Sequence, residues 1–467
     1  EQRAPYPAAP TAATTAAAAV TSAAAGHLDE DEAEDVADDR EGELPERRQA
    51  VGGGEGEAGT PAGGLHELEE AHASGLVGAA PVRHAQVPVA DGLDLALRGA
   101  AEASAFGDLQ EPPGLSCRST EPTEPIERPI REAQPIQEML STLLDAERQL
   151  LGRHNSISTV PYNGLSERSG ERIYLNSLGA RRHERLSSSS LYLYARAEQE
   201  GRKPRSSGAV RLAHGSAELD VQGCIDEAAE LTISHLDYAP IDTGSYTCVF
   251  SPDAFLDLIG AFSNIFNARA VLDGLSLSSR ESLGQQLAVP FLSLWDDARH
   301  PANLGATAFD GEGTPTARLP LIDGGVLSHF LHSEGTARQF GVSPTGHAGM
   351  GAKGSVVPDW FEVGAPPGAG SGDTSLDRHR ADGVVWIDSL SALHAGVKAS
   401  QGAFSLPFDG WLLKGGERRS IEAATVAGDI RTVLRSIVSL EGEPEVTPDG
   451  LCPHVWVEGL AITGEAE

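Results

Sequence analysis

Two acids two residues apart, Asp310 and Glu312, stand between glycines in the stretch Phe309-Asp310-Gly311-Glu312-Gly313-Thr314-Pro315-Thr316. Carboxyls held this close can share one proton and act as an acid/base pair. The same residue types also cap turns, and Gly311 and Gly313 would break a strand and let another backbone approach closely. Turn shaping is the simpler reading and acid/base work the alternative.

Three further strings carry candidate chemistry. In "HELEEAH", His66 and His72 flank Glu67 in the manner of a zinc-binding helix. Their spacing of six, at about 100° per residue, leaves the imidazoles about 120° apart around a helix axis, on different faces. "IDTGSY" contains the Asp-Thr-Gly-Ser string of aspartic peptidases once, so Asp242 would need a second chain to complete a dyad. Its place after Pro240 and before a strand fits an ordinary turn. "TGHAGMGAKGS" resembles a phosphate loop, but Ala352 separates Gly351 from Lys353 and no buried strand precedes it, leaving a glycine-rich loop. No Gly-x-Ser-x-Gly elbow occurs. The four cysteines, Cys117, Cys224, Cys248 and Cys452, lack the paired spacing of zinc or dithiol sites and read as reduced thiols.

The elements that must position these residues follow from composition and period. A chain of 467 residues has room for two or three domains. With 40% hydrophobic residues it can build a core, and 53 Gly and 29 Pro require many turns. The net charge of -33 argues against nucleic acid and acidic membranes as partners. No apolar run reaches the length of a spanning helix and no signal-peptide pattern opens the sequence, which leads us to expect a cytoplasmic protein.

Residues 1–86 form a low-complexity, Ala/Thr-rich, acidic and Gly-rich opening, for which disorder is expected. Residues 87–127 are read as the end of a first domain and a linker, with "GLDLALRGAAEASAFGD" at helical spacing and a Pro-rich connector after it. Residues 128–240 form a central α+β domain. In it, 136–151 is an amphipathic helix, two strands flank the turn Asn176-Ser177-Leu178-Gly179, and 220–236 is a second helix. Leu191, Leu193 and Ala195 should face one way and Tyr192, Tyr194 and Arg196 the other. Residues 241–467 form a strand-rich C-terminal domain that opens on a strand at Tyr246. "TPTARLPLIDGGVLSHFLH" predicts a hairpin turning at Gly324-Gly325. The fold class is α+β, multidomain, with antiparallel hairpins and flanking helices.

"FDGEGTPTARLPLIDGGVLSHFLHSEGTARQFG", "SPTGHAG", "FSLPFDGWLLKGGERRSIEAATVAGDIRTVLRSIV" and "CPHVWVEGLAITG" together resemble the TldD/PmbA family of peptidase-related proteins. The resemblance extends back through "STVPYNGLSERSGERIYLNSLG" and covers roughly residues 92–464. In that family TldD-type chains carry a His-Glu-x-x-x-His helix, whereas PmbA-type chains, also called TldE, lack it and pair with TldD. This sequence has no such string, so it is similar to the PmbA/TldE type. The resemblance implies a non-catalytic subunit of a cytoplasmic heterodimer whose TldD-like partner holds zinc, with unfolded peptides as substrate and no catalytic or metal residue in this chain.

By the same resemblance, Phe309 to Thr316, Gly324, Gly325, Thr345, Gly346 and His347 would face the substrate or the other subunit. Relatives usually read Thr-Gly-Asn-Ala where this chain has Thr345-Gly346-His347-Ala348. Two rival readings are an autonomous metallopeptidase of the same family and a peptide-binding scaffold without a proteolytic role.

Overall fold

The computed structural model describes residues 70–75, 83–88, 98, 115–349, 355–415 and 417–464. Two strands, Glu70–Gly75 (β1) and Arg83–Pro88 (β2), pair antiparallel inside and just beyond the stretch expected to be low in structure. His72 stands on β1 opposite Gln86, so this string forms no zinc-binding helix through it. His66 and Glu67 lie outside the described residues, as does the helix expected over 92–108 except Arg98, which is helical.

The amphipathic period over 136–151 appears as one helix with those bounds, Ile136–Leu151 (α1). It buries Ala146 and Leu150 completely. A long hairpin follows, Ile157–Leu175 (β3) and Arg181–Ala197 (β4), and Arg205–Ala213 (β5) completes an antiparallel sheet in the order β3-β4-β5. The turn closes where Asn176 predicts it, because its Oδ1 accepts from the amides of Leu178 and Ala180, both at 3.0 Å. Helix Val221–Ser234 (α2) starts at Asp220, whose carboxylate accepts from the Gly223 amide at 2.9 Å. Leu191, Leu193 and Ala195 are fully buried in the core that this sheet shares with α1 and α2. Tyr192, Tyr194 and Arg196 are half-buried on the other face, as the two-residue period requires.

The C-terminal unit contributes Tyr238–Ala239 (β6), Gly244–Phe250 (β7), helix Pro252–Ala261 (α3), Ser293–Asp297 (β8), Arg318–Asp323 (β9) and Val326–Leu327 (β10). Helix Glu334–Phe340 (α4), Ala348–Gly349 (β11), Ser355–Val356 (β12), Phe361–Gly364 (β13) and Val384–Leu390 (β14) come next. Val397–Lys398 (β15), Ala403–Lys414 (β16), Glu417–Ile421 (β17), Ala424–Asp429 (β18), Ile437–Val446 (β19) and Gly450–Gly464 (β20) close the chain.

Thirteen of these strands form one sheet, with the path β10-β9-β8-β13-β20-β7-β14-β16-β17-β6. One face, carrying Phe250, Val385, Ile387, Phe408 and Val455, packs on Phe255, Leu258 and Ile259 of α3. The other face holds a smaller cluster with Val249, Val384, Leu413 and Trp456. Burying side chains of this size is worth about 1.5–3 kcal/mol each, which is why the sheet can carry so many turns.

The Asp-Thr-Gly-Ser string behaves as a turn. Asp242 is exposed ahead of β7 and its carbonyl accepts from the Tyr246 hydroxyl at 2.8 Å. β9 and β10 meet at Gly324 and Gly325, whose φ values of 55° and 80° are both left-handed, as a two-residue hairpin of this hand requires. A Cβ on Gly325 would lie 2.5 Å from the Ala288 carbonyl oxygen, whereas one on Gly179, at φ 90°, would meet nothing within 4 Å. Gly325→Ala should therefore lower the urea midpoint distinctly more than Gly179→Ala, which carries only the backbone strain of about 1–2 kcal/mol. Equal losses would show that the clash at Gly325 relaxes freely.

Candidate functional site

The loop over residues 309–316 is organised by one carboxylate. Asp310 is 5% exposed. Its Oδ1 accepts from the amides of Glu312 and Thr314, both at 2.9 Å, and its Oδ2 from the amide of Ala348 at 2.9 Å. Burial pushes its carboxyl upward, against the pull of those three amides and of His347. Glu312 faces elsewhere: its Oε2 accepts from the Glu334 amide, 2.7 Å away, at the start of α4. Burial first, and then the charge of Asp310, push Glu312 up to about 8. The two acids thus have separate backbone partners and shape a turn.

The loop docks against the tip of the β3–β4 hairpin. Arg172 donates to the Phe309 carbonyl and lays its guanidinium over the Phe309 ring, 4.2 Å from the centroid. Arg182 donates to Gly313 O at 3.2 Å, Glu121 O at 2.6 Å and Thr123 Oγ1 at 3.1 Å. Glu184 accepts from the Ala308 amide at 3.0 Å and pairs with Arg172 at 2.6 Å. Gly313, at φ 75°, leaves space for Tyr174, whose ring would stand 2.4 Å from any Cβ there. The connector joins in through Ser116, which accepts from the Thr314 hydroxyl at 2.8 Å, and through the Cys117 amide, which donates to Glu334 at 3.0 Å.

Phe309, Asp310, Gly313, Thr314 and Thr316 are consequently buried, and Gly311, Glu312 and Pro315 half-buried. The segment expected to face a substrate or a second subunit is turned largely toward its own chain.

His347 belongs to the same neighbourhood. Gly346, at φ 85°, brings its loop against the Pro315 carbonyl, 2.6 Å from where a Cβ would be. His347 is 2% exposed, with Nδ1 2.8 Å from Thr345 Oγ1 and Nε2 3.4 Å from Asp296 Oδ1. Asp296 is wholly buried, and its other oxygen accepts from the Asp359 amide at 2.8 Å. Burial pulls the imidazole down, but Asp296 and the further carboxylates outweigh it and raise it above 6.5. Gly324 and Gly325 are not part of this assembly. They sit at the far end of β9, where the Gly325 amide donates to Leu292 O at 2.8 Å.

Arg172, Arg182, Glu184 and Tyr174 were missed in the sequence because their partners lie far along the chain, 131 residues away for Arg182 and Gly313. Among the described residues no group of three or more His, Cys, Asp or Glu side chains is arranged to hold a metal ion.

The long-hairpin central unit and the strand-rich C-terminal unit each match a domain of one known family, the PmbA/TldA metallopeptidases. Residues 131–236 match the central-domain model of that family and residues 243–464 its C-terminal-domain model. The chain belongs to the TldD/PmbA family. It is 23% identical over 322 residues to "Metalloprotease PmbA" of Escherichia coli O157:H7, covering 68% of each chain. A crystal structure from Thermotoga maritima, described as a candidate modulator of a DNA gyrase, superimposes with a TM-score of 0.68 at 26% identity, over 82% of this chain and 87% of that one. TldE from Thermococcus kodakarensis shares the fold with a TM-score of 0.67 at 18% identity, over 83% of this chain and 88% of its own.

The buried His347–Asp296 contact sets a pH dependence. A histidine whose folded pKa is raised adds stability that is fully present below its unfolded value, about 6.5, and is lost as pH rises through the folded value. Relative to His347→Asn, the native chain should show its largest advantage in urea midpoint near pH 5.5 and lose it toward pH 8.5. A difference that does not change with pH would place the proton elsewhere.

Proposed function

We propose that this chain is the PmbA/TldE-type subunit of a heterodimeric peptidase whose TldD-like partner carries the zinc, and that it helps to enclose unfolded peptides for cleavage. The observation that supports this reading is the absence of any His-Glu-x-x-x-His string from the segment 243–464 that matches the metallopeptidase C-terminal domain. In zinc peptidases built on such a motif, two imidazoles on one helix face hold the metal and a carboxylate activates water. On this reading, a chain that matches the family without them takes that chemistry from another subunit.

The sheet suits the enclosing task. It ends on the short strand β10 at one edge of its path and on β6 at the other, and such edges can take an extended peptide through main-chain hydrogen bonds regardless of most side chains. The surface of the 309–316 and 345–347 joint that remains half-exposed is our candidate for the subunit contact. No helix among the described residues is long and apolar enough to cross a membrane, and we place the complex in the cytoplasm.

Co-expression with a TldD-type chain should give a complex of fixed stoichiometry that hydrolyses an unfolded peptide and is silenced by a chelator. The isolated chain should do neither. About one zinc per chain in the purified single subunit, with chelator-sensitive hydrolysis, would instead establish an autonomous peptidase. Failure to form any complex with a TldD-type chain would favour a scaffold.

A further inference from the structure

The β3–β4 hairpin keeps one face along its length, because successive side chains alternate. Leu191, Leu193 and Ala195 carry that face under α1 and α2. Ser187, whose hydroxyl accepts from the Arg131 amide at 3.0 Å, carries it under the connector. From Arg185 to the turn the same face is bare. Arg181, His183 and Arg185 on β4, and Glu171, Ile173 and Leu175 on β3, are all exposed there. Arg172, Tyr174, Arg182 and Glu184, one position out of step, point the other way into the joint.

Three aliphatic side chains stand on or beside this bare end, with Ile173 58%, Leu175 55% and Leu178 54% exposed. A scattered exposed leucine is ordinary, but the register sets Ile173 opposite His183 and Leu175 opposite Arg181, so apolar and basic groups share one patch. Its acid, Glu171, is engaged by His183. The side chains of Arg181 and Arg185 have no hydrogen bond or ion pair among the described residues. In a chain of net charge -33, two unmatched guanidiniums beside aliphatic side chains form a surface whose complement is acidic and partly apolar.

That complement stands in the same sequence. Residues 28–44, read from sequence alone, hold ten acids between Asp29 and Glu43 against one base, Arg40, with Leu28, Val36 and Leu44 evenly spaced among them. The chain also enters the body of the structure at the right place. Leu115 directly precedes Ser116, which bonds Thr314, and the hydroxyl of Ser119 accepts from Asn176 Nδ2 in the hairpin turn at 2.9 Å. Roughly 70 residues, at up to about 3.6 Å each, separate Leu44 from Leu115, so reach sets no limit and the encounter is intramolecular.

We propose that the bare end of the hairpin docks the acidic run 28–44 of its own chain, carboxylates on Arg181 and Arg185 and the aliphatic residues of the run against Ile173, Leu175 and Leu178. The docked run covers the hairpin face opposite the joint. Neither a partner subunit nor a peptide substrate enters this inference, so it stands or falls apart from the proposed function.

Arg181→Lys and Arg185→Lys keep the charge and supply an amine that a water-soluble carbodiimide couples to a touching carboxylate. In the full chain at low salt, each variant should give links to carboxylates between Asp29 and Glu43, lost at about 1 M salt, where the Debye length is about 3 Å. Arg148→Lys on α1 should give none to that run. With isotope-labelled and unlabelled chains mixed, the links should join residues of a single chain. Charge reversal gives a second readout. With Arg181→Glu and Arg185→Glu together, trypsin should cut after Arg40 about fivefold faster than in the native chain, measured against its cut after Arg47. Links only to other carboxylates, links only between chains as a second copy would give, no links at all, or equal cutting after Arg40 overturn the proposal.

Discussion

A carboxylate removed from water has to be met by hydrogen bonds or a counter-charge, and Asp310 is met by three backbone amides drawn from two separate loops. Those amides fix the turn over residues 310–314 and tie it to Ala348. With the turn fixed, the carbonyls of Phe309 and Gly313 are presented to Arg172 and Arg182, and the Ala308 amide to Glu184. The joint between the two units is therefore a backbone surface read by charged side chains from a hairpin, and its geometry descends from one buried acid.

Much of the fold was legible because it rests on local periodicity. The helix 136–151 is set by apolar spacing, and the Asn176 turn by a side chain that can bond its own backbone. The hairpin at Gly324-Gly325 follows from the two residues that tolerate left-handed φ. The alternation of Leu191, Leu193 and Ala195 against the tyrosines followed from the pleat alone. The candidate site was legible only in part. Its glycines and acids were visible as a pattern, but which surface they meet is decided by contacts more than a hundred residues apart, which leave no periodic trace. The composition of the opening also gave no sign of the β1–β2 pairing, because strand pairing depends on register rather than on residue content.

The net charge of -33 is distributed unevenly in its consequences. Acids in the joint are each absorbed by an amide or a guanidinium, as Glu184 is by Arg172 and Arg128. At the ends of β7 and β14 burial instead pushes Asp257 up to about 8, so that its carboxyl keeps its proton at neutral pH.

The β3–β4 hairpin has mechanical meaning. Nineteen residues in β3, at about 3.3 Å each, give a beam close to 60 Å long before twist is allowed for. One end is clamped beneath α1 and α2, and the other is bolted to the C-terminal unit at Gly313 and Phe309. A beam fixed at both ends resists hinging, so any swing of one unit against the other must shear the bolts or flex the span.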